Sequence, residues 1–314
     1  MTSMDPYAAM TEGTALVDRS ESGKLALTGP EAKTFLNGQV SNEIEALQPG
    51  GGCYAALLTH KGKMLADLRV IDTQNSDTPT GELLLLCERP ALQALFDALR
   101  RFKIGFDCEL HKLTLERGLL SLIGPRSDEL AGTVPANEHA NAPGELGGAP
   151  VLLIRTDAGI DVVCDSADTD RVRAALLDAG AVQIDEATAD VLRVEHGRPR
   201  YGVDLDDSVI PQEAGLNERA VSFTKGCYVG QETVARLHYR GKPNRHLRGL
   251  RLREEVLPGT ELRLGEREVG RLTSVAASPR FGPVGLALVR REAQPGDVLD
   301  AGGVPAEVVD LPFG

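Results

Sequence analysis

Apolar and polar positions fall into short runs punctuated by glycine and proline. Leu25-Ala26-Leu27-Thr28 is an apolar run bounded by glycines and predicts a strand. Gly29-Pro30 then opens a helix over 31–37. Proline suits the first helical turn because its missing N–H is not needed there, Glu31 complements the dipole, and Gly38 is placed to cap the end. Strands follow at 53–58, 64–71 and 83–86, a helix at 91–102 after Pro90, and a strand at 110–115. The order then restarts. Leu120-Ser121-Leu122-Ile123-Gly124-Pro125 echoes Leu25-Ala26-Leu27-Thr28-Gly29-Pro30 after 95 residues. A helix at 126–130, strands at 151–154 and 160–164, and a helix at 170–179 complete a second round. The pattern predicts two related α+β units, against the alternative that strand-Gly-Pro-helix is a common local sequence and the echo is chance. Residues 136–150, rich in Asn, Gly, Ala and Pro, predict a loop. A helix at 187–195 leads into the shaped loop His196-Gly197-Arg198-Pro199-Arg200-Tyr201-Gly202-Val203-Asp204. From Arg245 the texture changes to short strands at 247–252, 261–264, 269–277, 285–289 and 304–308 separated by turn signals, which predicts a small all-β barrel after a linker at Gly241-Lys242-Pro243. The expected division is 1–116, 117–243 and 244–314.

A chain of 314 residues with 42% apolar and 25% charged residues has room for two or three packed domains. Its formal charge of −12 argues against broad non-specific binding to nucleic acid. No apolar run approaches the ~20 residues that span a bilayer. The N-terminal residues 1–14 lack both the basic flank and apolar core of a signal peptide and the Arg-rich character of a transit peptide. The reading is a cytoplasmic protein with its first dozen residues frayed and no membrane partner. The five cysteines, at 53, 87, 108, 164 and 227, form no C-x-x-C pair and fit free thiols in a reducing compartment. Cys87 and Cys164 sit in apolar runs and read as core packing.

Familiar catalytic signatures are missing. There is no P-loop, no H-E-x-x-H, no G-x-S-x-G and no histidine spacing suited to a metal. The stretch with most chemical character is Lys225-Gly226-Cys227-Tyr228-Val229-Gly230-Gln231-Glu232, ahead of a helical segment at 233–237. Two glycines let the backbone turn tightly and approach a ligand. A lysine two residues before Cys227 and a helix N-terminus after it both favour a thiolate. The competing reading is a plain packing cysteine. By elimination the candidates are Cys227 with Lys225, the acids Asp67, Glu195, Asp204 and Glu213, and the arginines Arg198, Arg200 and Arg236. Residues 219–253 also hold nine Lys or Arg against one acid, Glu232. That band reads either as a solvated rim or as a site for a polyanion such as an acidic partner or an RNA backbone. Sparse aromatic residues argue against a dedicated single-strand platform.

The 225–232 stretch resembles the signature of the YgfZ family, which is related to the aminomethyltransferase (T-protein) of the glycine cleavage system. Phe35-Leu36-Asn37-Gly38-Gln39-Val40, the run from Leu58 through His60-Lys61-Gly62-Lys63 to Asp67, Arg193-Val194-Glu195-His196-Gly197-Arg198-Pro199, and Pro211-Gln212-Glu213-Ala214-Gly215-Leu216 resemble further blocks of that family in the same order. The likeness covers roughly 16–290. It implies two ferredoxin-like α+β units and a β-barrel, arranged as a ring with a central channel that takes tetrahydrofolate. On that likeness Glu195 would hold the pterin ring. Arg198, Tyr228, Gln231 and Arg236 would line the folate site, and the basic band would face the glutamate tail. Cys227, Lys225 and Asp67 would carry any chemistry, with no metal. The chain departs from T-proteins in having Cys227-Tyr228 where those carry an acidic-aromatic pair, and Ala66-Asp67 where those carry two acids. The YgfZ likeness implies a folate-dependent role in assembly or repair of iron–sulfur proteins, including tRNA-modifying enzymes, with at most indirect or weak contact to tRNA. The alternatives are a folate-dependent aminomethyl or one-carbon transferase or demethylase, and a tRNA-binding module resting on the basic band alone.

Overall fold

The first dozen residues are not frayed throughout. A helix, α1 (Pro6–Glu12), is capped by Asp5, whose carboxylate accepts from the N–H groups of Tyr7 and Ala8. The computed structural model describes residues 4–73 and 82–314, so residues 1–3 of the expected frayed segment lie outside the described part. Strand β1 (Ala15–Asp18) follows.

Two rounds of the same element order come next. The first is β2 (Gly23–Thr28), α2 (Ala32–Gln39), β3 (Gly52–Leu58), β4 (Met64–Thr73), β5 (Glu82–Cys87), α3 (Leu92–Phe102) and β6 (Glu109–Lys112). The second is β7 (Arg117–Ile123), α4 (Ser127–Ala131), β8 (Asn141–Leu146), β9 (Ala149–Arg155), β10 (Gly159–Asp165), α5 (Thr169–Asp178) and β11 (Val182–Gln183). The first sheet runs β3-β4-β5-β2-β6, and the second runs β8-β9-β10-β7-β1-β11. The second order repeats the first with β1 inserted, antiparallel to β7 and parallel to β11. The echo read in the sequence is therefore a structural repeat of two ferredoxin-like sheets. Ile71, Leu84 and Leu86 of one sheet pack against Leu119, Ile154 and Val163 of the other, and the opposite face of the second sheet carries Val172 and Leu176 of α5.

Three local expectations are corrected. Gly38 lies inside α2, and Val40 is the C-cap residue, its N–H bonded to the Leu36 carbonyl. The strand expected at 110–115 ends at Lys112, and Leu115 is exposed. The region 136–150 is not all loop, because β8 and β9 pair as a hairpin turned by Gly147-Gly148, both at positive φ (58° and 74°). β8 carries Pro143 and Gly144 and alternates weakly. It tolerates both because it is an edge strand with one side unpaired.

The remaining elements are α6 (Glu186–Glu195), α7 (Asn217–Ala220), α8 (Gln231–Arg240), β12 (Arg245–Leu252), β13 (Glu261–Leu264), β14 (Arg267–Ser278), β15 (Gly282–Arg290), β16 (Val298–Ala301) and β17 (Val304–Val309). β12 through β17 close a six-stranded barrel in the order β12-β15-β14-β13-β16-β17. Inward positions Leu250, Leu262, Leu272, Val289, Leu299 and Val308 fill it. α6 lays Val194 on Leu247, Ala276, Leu286 and Phe313.

By its internal contacts the chain divides into two compact units. One holds both α+β sheets together with residues 220–229, and the other holds residues 59–64, 189–219 and the barrel. In the second unit, the turn at 59–63 lies against α8. A Cβ at Gly62, whose φ is +73°, would meet Thr233 Cβ at 2.9 Å, so only glycine fits that turn.

Candidate functional site

Within the α+β unit, the signature stretch is anchored by Lys225. Its ammonium donates to the carbonyls of Asn37, Val40 and Asn42 at 2.6, 3.0 and 2.6 Å. Asn37 and Val40 belong to the end of α2, where carbonyls lack intrahelical donors and form the negative pole of the helix. The ammonium also lies 5.3 Å from the centre of the Tyr228 ring. Burial lowers the Lys225 pKa to about 8, against the opposing pull of Glu43, and raises that of the Tyr228 hydroxyl to about 12. The early Phe35–Val40 block and the signature, 188 residues apart at the Asn37–Lys225 bond, thus form one polar knot.

This geometry corrects one expectation about Cys227. All three donors of Lys225 go to carbonyls, and the thiol that senses its charge is Cys53. α8 begins only at Gln231, four residues beyond Cys227, with Gly230 as its N-cap residue. The lysine is thus engaged by carbonyls, and the helix start lies beyond the segment that holds Cys227. Cys227 is nonetheless the exposed cysteine. Cys87, Cys108 and Cys164 are buried and Cys53 is partly so. Burial pushes the Cys53 thiol up to about 12, which leaves it protonated and unreactive.

Asp67 on β4 is buried, and Tyr54 on β3 donates its hydroxyl to Asp67 Oδ2 at 2.5 Å. The Tyr54 carbonyl accepts from Asn42 Nδ2 at 2.8 Å, and the Asn42 carbonyl accepts from Lys225. Asp67 and Lys225 are thus joined through two residues that sequence reasoning missed. Nothing in the periodicity distinguishes Tyr54 or Asn42 from their neighbours. Burial raises the Asp67 pKa above its usual 3.8, with the Tyr54 bond opposing. The folded chain therefore keeps a proton that the unfolded chain has released. Stability from this group is full below pH 3.8 and is lost as pH rises through the folded pKa. Asp67→Asn keeps an acceptor for Tyr54 and removes the titration. In urea unfolding across pH, the variant is expected to lose the part of the decline above pH 3.8 that Asp67 causes. A wild-type slope retained in the variant would mean that Asp67 does not hold its proton in the fold.

In the barrel unit, Glu195 closes α6 and is buried, at 4% exposure. Its Oε1 accepts from Ser278 Oγ, and Ser278 Oγ in turn accepts from the N–H groups of Arg280 and Phe281. A carboxylate at a helix C-terminus opposes the dipole, so neither helix stability nor solvation accounts for this position. Other acids singled out in the sequence have structural partners. Asp204 accepts from Arg193, the Arg200 N–H, Thr273 and Ser274. Glu213 takes both Nε and Nη2 of Arg245. Arg200 pairs with Asp190 at 2.9 Å. Arg198 donates its N–H to the Arg193 carbonyl, Gln231 is the first residue of α8, and Arg236 is exposed on the same helix. The basic band is partly neutralised, since Lys225 and Arg251 are on carbonyls, Arg245 is on Glu213 and Arg248 is on Asp310. Among the described residues no group of three or more His, Cys, Asp or Glu could hold a metal ion, and no helix is long and apolar enough to cross a membrane.

Residues 3–225 match the GCVT N-terminal domain, and residues 245–313 match the glycine cleavage T-protein C-terminal barrel domain. The chain is 31% identical to an aminomethyltransferase of Streptomyces avermitilis, over 98% of this chain and 88% of that one. It is 26% identical to a putative chloroplastic transferase of Arabidopsis thaliana, over 91% of this chain and 67% of the relative. Its fold is similar to that of the glycine cleavage system aminomethyltransferase T from Bartonella henselae, with a TM-score of 0.86, 23% identity and coverage of 98% and 88%. The repeated sheets, the closed barrel and these matches together make the chain a member of the glycine cleavage T-protein family.

Proposed function

We propose that this protein binds tetrahydrofolate and serves, in the manner of the YgfZ branch, as an accessory factor in the assembly or repair of iron–sulfur proteins, tRNA-modifying ones among them. The observation that carries the reading is Cys227, the exposed thiol of a loop fastened by a buried lysine, standing where the transferases carry an acidic pair member. The donor set fits a reduced folate. Glu195 is a buried carboxylate, and a pterin edge offers adjacent N–H donors to such an acceptor. When bound, tetrahydrofolate supplies nitrogen atoms that carry one-carbon units. Glu195 orients the pterin, with Arg198, Gln231 and Arg236 of the same unit as further folate contacts. Cys227 makes a passing contact with a client protein, its cluster or a one-carbon adduct. A single thiol does not hold a cluster, which usually takes about four.

Glu195→Gln is expected to weaken tetrahydrofolate binding by about 10- to 100-fold in calorimetric titration, the worth of one hydrogen bond to a charged group. Cys227→Ser is expected to leave folate affinity unchanged and to fail in restoring iron–sulfur enzyme activity to cells that lack the protein. Absence of folate binding by the wild type, or full rescue by the Cys227 variant, would end this reading.

A second reading, a folate-dependent aminomethyl or one-carbon transferase or demethylase, has the more direct support from the relatives' names. It is also favoured by Asp67, a buried carboxyl beside Tyr54 whose pKa burial raises above the usual range, in the direction that suits a group placing a proton on a departing amine. Folate-dependent turnover of aminomethyl or methylamine donors that disappears in Asp67→Asn and survives in Cys227→Ser would select it.

A further inference from the structure

The barrel unit carries a cleft of about 660 Å³ that none of the residues assigned above to the pterin or to thiol chemistry lines. Its charged wall consists of Lys63, Arg245, Arg271 and Arg290, with Glu213 and Glu268. Four cations against two carboxylates leave a surplus of two positive charges. The placement of the cations is unusual. Arg245 and Arg290 are direct partners across the antiparallel pair β12–β15, a juxtaposition of like charges that destabilises a sheet. Lys63 Nζ and Arg245 Nη2 converge on one acceptor, the Ser208 carbonyl, at 2.7 and 3.0 Å. Glu213 compensates Arg245, and Glu268 lies 3.6 Å from Arg271. No ion pair compensates Lys63, and Arg290 is exposed and its side chain makes no hydrogen bond or ion pair among the described residues, although its charge is felt by Glu292.

Like charges gathered on a cleft wall lower their mutual repulsion by taking up an anion. We propose that this cleft binds the phosphate group of a small phosphorylated molecule. A surplus of two charges matches a phosphate monoester dianion, and arginine forks suit its oxygens. The volume lies in the range of small-molecule sites and exceeds that of a bare phosphate, which leaves space for an organic remainder beside Ile210, Val269 and Leu288. Arg245 belongs to the basic band set against a folate tail, but Lys63, Arg271 and Arg290 lie outside it, so the tests at Lys63 and Arg290 are independent of folate binding.

The test is calorimetric titration of the full chain at constant ionic strength with inorganic phosphate, glycerol 3-phosphate, succinate and chloride. Phosphate is expected to bind saturably, glycerol 3-phosphate more tightly, and succinate and chloride at least about tenfold more weakly. Arg290→Ala and Lys63→Ala are each expected to weaken phosphate binding by about tenfold or more. Arg290→Ala removes an exposed side chain that makes no ion pair and relieves repulsion with Arg245, so its unliganded thermal midpoint should equal or exceed that of the wild type. Equal heats in wild type and Arg290→Ala would overturn the proposal. So would succinate binding as tightly as phosphate, which would make the cleft a dicarboxylate site.

Discussion

Asp204→Ala is expected to destabilise the barrel unit by about 3–5 kcal/mol, the range for removing one partner of a buried ion pair. The Asp204 side chain has no exposure, and both of its oxygens are in use. One accepts from Arg193 Nη1 and the Arg200 N–H, at 2.7 and 2.9 Å, and the other from Thr273 and Ser274, at 2.5 and 2.7 Å. Truncation leaves a guanidinium that is 12% exposed with one carboxylate fewer and the Ser274 hydroxyl without its acceptor, while Thr273 retains the Leu286 carbonyl. Arg193 also bonds Asp190, the Arg198 carbonyl and Ser274, so the damage spreads to the 196–204 loop that follows Glu195. Urea unfolding measures the loss, and Asp204→Asn, which keeps two acceptor lone pairs, should lose less. A loss under about 1 kcal/mol for the alanine variant would place Asp204 among ordinary surface acids.

Lys225→Met comes next in size. Methionine matches the apolar stem but offers nothing to the carbonyls of Asn37, Val40 and Asn42. Stranding those acceptors should lower the stability of the α+β unit by about 2–4 kcal/mol and its urea midpoint by about 1–2 M. The pH dependence supplies a separate readout. Burial lowers the Lys225 pKa to about 8 from 10.5, so between these values the unfolded chain binds a proton that the folded chain has released. Wild-type stability therefore gains a contribution as pH rises from about 8 to 10.5, and the variant lacks it. Because the same anchor fixes the signature loop, thiol alkylation at Cys227 should change in the variant while Cys53, protonated under burial, stays slow. Identical alkylation in both proteins would mean that Lys225 serves the fold without shaping the loop.

Much of the architecture is legible in the linear pattern, because it rests on local rules. Gly-Pro after an apolar run ends a strand and starts a helix wherever it occurs, and it did so at both 29–30 and 124–125. Short strands between Pro-Gly turns after Arg245 read correctly as a barrel, since alternation and turn chemistry are short-range signals. The hairpin at 141–155 escaped because its edge strand is held by pairing with β9 and owes little to its own composition. The interleaving of β1 into the second sheet was equally hidden, as strand partners far apart in the chain leave no periodic trace.

The candidate residues divide in the same way. From the amino acids alone one could tell that 225–232 is chemically special and that Glu195 and Asp67 stand in blocks worth attention, because residue type and spacing are visible in one dimension. The direction in which a side chain points is not. Lys225 was expected to act on the cysteine two residues away, yet it turns to carbonyls more than 180 residues earlier, since a buried ammonium goes where acceptors are left over at a helix end. Burial separates Glu195 and Asp67 from the many exposed acids, and saturation by four donors marks Asp204 as a structural acid. Desolvation and hydrogen-bond saturation are sums over neighbours brought together by the fold, so only the tertiary structure could decide which of these acids is buried and which neighbours it meets.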